Sequence, residues 1–135
     1  MSLRLIPEIH RAAHRIGLYL DDVSELGVPQ AEAHILAHLA AYGDSTIGDL
    51  HRAFAHKRST LTSILDRLDQ QKLIRRESHA EDRRTFVISL TGQGKKLARQ
   101  VHDELEALEA AALQGLSKAE VALVTRVLNA VSVSG

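Results

Sequence analysis

The stretch that decides the fold is QKLIRRESHAEDRRTFVISLTGQG, residues 71–94. Leu73–Ser78 and Thr85–Leu90 read as short strands, the second rich in β-branched and aromatic residues. His79–Arg84 between them is polar and of hairpin-loop length. Two strands alone are marginal in water, so this hairpin must lean on neighbouring helices. One lies just upstream: Leu61, Ile64, Leu65 and Leu68 fall at i, i+3, i+4 and i+7, which predicts a helix from about Lys57 to Gln71. It buries one face and shows Arg58, Thr62, Ser63, Asp66 and Arg67 elsewhere. Before it, Thr46 with Asp49 three residues on reads as a capping box opening a short helix, Ile47 to Phe54. Two helices, a short turn and a β-hairpin describe a winged helix-turn-helix.

Further out, Ile6, Ile9, Ala13, Ile16 and Leu20 step by three and four through a first helix, Leu5 to Val23. Gly27 and Pro29 break it. A second helix follows from Gln30 to Ala41 with Ile35, Leu36 and Leu39 on its apolar face, closed by Gly43. Beyond the hairpin a long helix runs from Thr91 to about Gln114, with Leu97, Val101, Leu105, Leu108 and Ala112 as its seam. Gly115 ends it, and Ser117-Lys118-Ala119-Glu120 is a capping box opening a last helix up to about Val131. The expected fold is mainly α with a small β-hairpin wing, a single domain over residues 1–135. Residues 30–91 are expected to form the winged helix-turn-helix unit, and residues 1–25 and 92–135 to supply dimerisation helices. The terminal helices carry more apolar surface than so small a DNA-binding unit can cover, and a homodimer interface accounts for it. The alternative is a monomer whose terminal helices fold back on the same core.

The 135 residues carry 17 Lys+Arg against 17 Asp+Glu. The net charge of zero hides a segregation: residues 51–100 hold 12 basic against 5 acidic residues, whereas both flanks are net acidic. Local charge governs contact with phosphate, so a basic middle is a nucleic-acid footprint. The absence of Cys excludes disulfides, thiolate metal sites and thiol switches. No apolar run approaches the roughly 18–20 residues of a membrane span, and MSLRLIPEIHRAAHR breaks every apolar stretch with a charge or a Pro. A cytoplasmic protein without a membrane partner is expected. Enzymatic readings find no support. Gly92-Gln93-Gly94 lacks the third Gly of a phosphate loop, no Gly-x-Ser-x-Gly elbow occurs, and no cofactor is implied.

A recognition helix needs side chains near its N-terminal half that reach base edges and phosphates. That stretch reads Lys57-Arg58-Ser59-Thr60, continuing through Thr62 and Ser63 to Arg67. Arg can bond guanine bidentately, and Ser and Thr can bond bases or phosphate. Arg83 and Arg84 at the ribbon tip are long enough to enter a minor groove. The candidate DNA-contacting set is Thr46, Lys57, Arg58, Ser59, Thr60, Thr62, Ser63, Arg67, Asp82, Arg83 and Arg84.

Here the sequence resembles a known family. Leu68, Leu73, Ile74, Arg76, Asp82, Arg84, Leu90, Thr91 and Gly94 match the wing of the multiple antibiotic resistance regulator (MarR) family, "L-x-x-x-G-L-(I/V)-x-R, then D-x-R, then L-T-x-x-G". Arg58-Ser59-Thr60-Leu61-Thr62 resembles the opening of its recognition helix, and Leu26-Gly27-Val28-Pro29-Gln30-Ala31-Glu32 the lead into its second helix. The resemblance implies a homodimeric transcriptional regulator on double-stranded DNA, a repressor on a palindromic operator, relieved by a small-molecule effector. Two positions depart from the pattern. Lys72 stands where the family usually has a turn Gly, and Lys57 where a capping Ser is common. A cation at a helix N-terminus is disfavoured unless phosphate is nearby, which strengthens Lys57 as a phosphate contact. In the wing, Asp82 two residues before Arg84 can hold its guanidinium for insertion while Arg83 meets phosphate, or the pair only stiffens the loop.

The eight His include two i, i+4 pairs, His10/His14 and His34/His38. Each pair shares a helix face and could ligate a metal, but neither brings a third ligand of its own. A pH response is the other reading, since His titrates near neutrality. A metal- or pH-responsive version of the regulator, and a winged helix that binds protein instead of DNA, are the alternatives.

Overall fold

The computed structural model describes residues 2–23, 27–78 and 86–134. Its elements are α1 (Ile6–Asp22), α2 (Gln30–Tyr42), β1 (Ser45–Thr46), α3 (Ile47–Phe54), α4 (Arg58–Gln70), β2 (Ile74–Ser78), β3 (Phe86–Leu90), α5 (Gly92–Leu113) and α6 (Lys118–Ser134). The chain divides into two compact units, residues 1–103 and 104–135. Among the described residues no helix is long and apolar enough to cross a membrane.

The first unit is built on α2 and α4. Ala33, Ile35, Leu36 and Leu39 of α2 and Leu61, Ile64, Leu65 and Leu68 of α4 are all buried, as the period of apolar residues requires. Leu20 of α1, Leu50 of α3 and Val101 of α5 are buried with them. Pro29 is the N-cap of α2 and offers it no side-chain cap. Asp21 of α1 takes that role, accepting from the Gln30 backbone N–H at 3.0 Å. The same Gln30 side chain lies over Gly17, where a Cβ would sit 1.9 Å from its Oε1. A side chain at position 17 would displace the Gln30 amide from this seat.

The sheet has one strand more than the sequence pattern shows. β1 pairs antiparallel with β3 (Ser45 with Ile88, Thr46 with Val87), and β3 pairs with β2 from Ile74–Leu90 to Ser78–Phe86, giving the order β1-β3-β2. Two residues have no periodicity to read, so β1 is set by tertiary pairing alone. Ile74 and Ile88 turn inward and anchor the hairpin on the helices.

The exit from the hairpin explains the Leu90-Thr91-x-x-Gly94 pattern physically. The Thr91 N–H donates to the Leu73 carbonyl at 3.1 Å and its hydroxyl to the Lys72 carbonyl at 2.7 Å. That hydroxyl also accepts from the Gly94 N–H at 3.0 Å, capping α5. Gly94 must be Gly because a Cβ would lie 1.9 Å from the Leu73 carbonyl oxygen. Lys72, where α4 gives way to β2, has φ +62°, a left-handed conformation that Gly would adopt without strain.

In the second unit, Ser117 and Glu120 form the expected capping box at the start of α6, with Ser117 N to Glu120 Oε1 at 2.9 Å and Glu120 N to Ser117 Oγ at 3.1 Å. Leu123, Val124, Leu128 and Val131 of α6 are exposed.

Candidate nucleic-acid interface

The candidate reading helix is α4. Lys57 is its N-cap and supplies no side-chain cap, and no acidic residue lies in its first turn. Its N-terminus is left with backbone donors, Lys57 and Arg58 facing outward, an arrangement suited to an anion. Ser59, Thr60, Thr62 and Ser63 are exposed beside them. The Thr62 hydroxyl donates to the Arg58 carbonyl at 2.9 Å and the Ser63 hydroxyl to the Ser59 carbonyl at 3.0 Å. Their donors are engaged within the helix, and their oxygens remain acceptors. Arg58 also borders a recess of about 160 Å³ between α3 and α4, with Ile47, Gly48, His51 and Leu61.

Thr46 is differently placed. Its hydroxyl accepts the Asp49 N–H at 3.0 Å while Asp49 Oδ2 accepts the Thr46 N–H at 3.0 Å. The backbone bond from Thr46, then its hydroxyl, hold the Asp49 carboxyl below its ordinary range. Thr46 is thus the cap of α3: its hydroxyl oxygen accepts there, and its O–H is left as a donor. Asp82, Arg83 and Arg84 lie outside the described residues.

Two charge contacts brace the C-terminal half of α4, and charge counting alone does not find them. On one flank Arg76 of β2 donates from Nη1 to Asp66 at 2.8 Å and from Nη2 to Asp69 at 2.7 Å. On the other, Arg67 Nε donates to Oε1 of Glu32 on α2, a carboxylate only 1% exposed. Glu32 and Arg76 both fall in the stretches that carry the family pattern, yet their partners are visible only once α2, α4 and β2 are packed.

A row of rings runs from α2 over the end of α3 to the turn into α4. His38 lies 4.6 Å from Tyr42 and 5.2 Å from Phe54, whose ring is 5.8 Å from His56. Burial, then the nearby His56, push the pKa of His34 down, and His56 Nδ1 is buried without a partner. Among the described residues neither His10/His14 nor His34/His38 gathers a third metal ligand.

An α2–α3–α4 core with a β-ribbon behind its outward helix is a winged helix-turn-helix. The model of the MarR family matches residues 26–85, and over that stretch the chain is similar to the family. The chain is 30% identical over 102 residues to the HTH-type transcriptional repressor MdtR of Bacillus subtilis, a match spanning 76% of this chain and 66% of that protein, just under two thirds of its length. Its fold is similar to that of a MarR family transcriptional regulator from Listeria monocytogenes crystallised with a 26mer DNA (TM-score 0.87, 19% identity, 98% of this chain and 89% of that one). It is also similar to NadR in complex with 4-hydroxyphenylacetate (TM-score 0.82, 22% identity, 98% and 94%).

Proposed function

We propose that this chain is a sequence-specific transcriptional regulator, a repressor that binds a palindromic double-stranded DNA operator as a homodimer and is relieved by a small-molecule effector. The observation that carries the reading is the N-terminal half of α4. Its exposed face holds Arg58, Ser59, Thr60, Thr62 and Ser63, its first turn lacks acid, and its far half is braced from two sides. A rigid helix with a cationic, hydrogen-bonding N-terminus suits the major groove. Lys57 meets phosphate on this reading, and Asp82, Arg83 and Arg84 are assigned to the wing's minor-groove contact on sequence grounds alone.

The homodimer rests on exposed apolar residues at both chain ends, Leu3, Leu5, Ile6 and Leu18 near the start and Leu123, Val124, Leu128 and Val131 in α6. Residues 1–25 and 92–135 are its proposed dimerisation segments, 30–91 its DNA-binding part, and the cytoplasm its place of action. The effector reading draws on the ligand complex of NadR. A pH-responsive variant is favoured by the half-buried His34, whose pKa is held down by burial and then by the charge of His56.

The test is selection of bound sequences from random DNA at physiological salt. The proposal expects enrichment of an inverted repeat. Retention of all sequences alike, vanishing as salt rises, or no retention at all, would point to the protein-binding alternative.

A further inference from the structure

The Glu32–Arg67 pair is built in an unexpected way. A buried carboxylate that serves only to pin a guanidinium is best satisfied by a bidentate pair, both oxygens accepting two parallel N–H groups. Glu32 does not make one. Oε1 accepts from Arg67 Nε, while Oε2 is buried with no hydrogen-bond partner among the described residues. Leaving a buried oxygen unpaired is costly, so the guanidinium is turned away from the arrangement that would satisfy its own partner. The side chain of Arg67 remains 53% exposed, and its terminal nitrogens Nη1 and Nη2 bond nothing among the described residues. Thr60, Ser63 and Arg67 stand at i, i+3 and i+7, one exposed stripe of α4.

We infer that Glu32 is a positioning residue for DNA binding: its buried carboxylate holds Arg67 by Nε so that the Nη pair is presented, already oriented, to a backbone phosphate. This rests on the reading of α4 as a DNA-facing helix and deepens it. A long flexible side chain loses rotamer freedom when it binds, and a guanidinium fixed beforehand loses less. Arg suits the task because its fork can serve two acceptors at once, Glu32 through Nε and a phosphate through Nη1 and Nη2, which the single ammonium of Lys cannot reproduce in the same geometry.

The experiment measures the affinity of the full chain for its selected DNA over a salt series, for wild type, Arg67→Ala, Glu32→Gln, the double variant and Arg67→Lys, each checked for folding by circular dichroism. Arg67→Ala should weaken binding about tenfold and shallow the slope of log K against log salt by about 0.9, the loss of one phosphate contact. Glu32→Gln should weaken binding about threefold with a slope close to wild type, because Arg67 stays but is less well held. The double variant should bind no more weakly than Arg67→Ala, since Glu32 acts only through Arg67. Arg67→Lys should keep most of the slope without regaining wild-type affinity. If Arg67→Ala does not fold, Arg67→Gln carries the same comparison. An unchanged slope in the folded Arg67 variant, or additive losses in the double variant, would overturn the inference. Failure of the wild type itself to retain selected DNA would instead overturn the DNA-binding reading.

Discussion

Lys72 shows how a single residue can be read from sequence and then explained by backbone geometry. It occupies a position where the family usually has Gly, and its φ of +62° is the conformation that costs an L-residue roughly 1–2 kcal/mol. Lys72→Gly should therefore raise stability by about 1 kcal/mol, seen as a higher urea midpoint with an unchanged slope. A lower midpoint would mean the flexibility that Gly gives the unfolded chain outweighs the strain relieved. His34 carries the second residue-scale expectation. Its pKa in the fold lies below its ordinary 6.5, chiefly through burial and then through His56. Just below pH 6.5 the unfolded chain thus binds the proton more readily than the folded one. His34's contribution is fully present above pH 6.5 and is lost as the pH falls from there toward the lower folded value. Urea titrations between pH 5 and 8 should show this fall, and His34→Gln should flatten it; an unaltered profile in the variant would assign the effect elsewhere.

At the scale of elements, the helices were legible because burial leaves a period in the sequence. Leu61, Ile64, Leu65 and Leu68 announced α4, and the Thr46 and Ser117 boxes announced where α3 and α6 begin. The strand Ser45–Thr46 was not legible, being two residues held by pairing with Val87 and Ile88. The same holds for the site. Exposed cations on α4 could be named from charge and position, but that Arg67 is held by Glu32 is a fact that exists only in the packed structure. The braced helix supports a sharp contrast at its start. Arg58→Ala should cost about 1–3 kcal/mol of DNA binding and relax preference at one base position, as for a bidentate contact to guanine. Lys57→Ala should weaken all sequences alike and shallow the salt slope by about one unit. Competition binding on single-base variants of the selected site separates the two, and equal, sequence-independent losses would make Arg58 a phosphate contact only.

For the whole molecule, the proposed dimer and the proposed DNA reading must stand together. Two copies related by a two-fold axis present two α4 helices, and a palindromic site mirrors that symmetry. The exposed Leu3, Leu5, Ile6 and Leu18 place part of the expected interface in the first twenty residues. Deleting residues 1–20 should abolish the dimer in sedimentation analysis and, with it, specific binding; a truncated monomer that bound a full site normally would break the link. On the proposed function, a symmetric pair of α4 helices reads the operator. This reading is tested most directly by hydroxyl-radical footprinting of the wild-type chain on its selected site at physiological salt. Two equivalent protected patches about 10 bp apart, centre to centre, are expected on that sequence alone. A single asymmetric patch, or the same protection on unselected DNA, would contradict it.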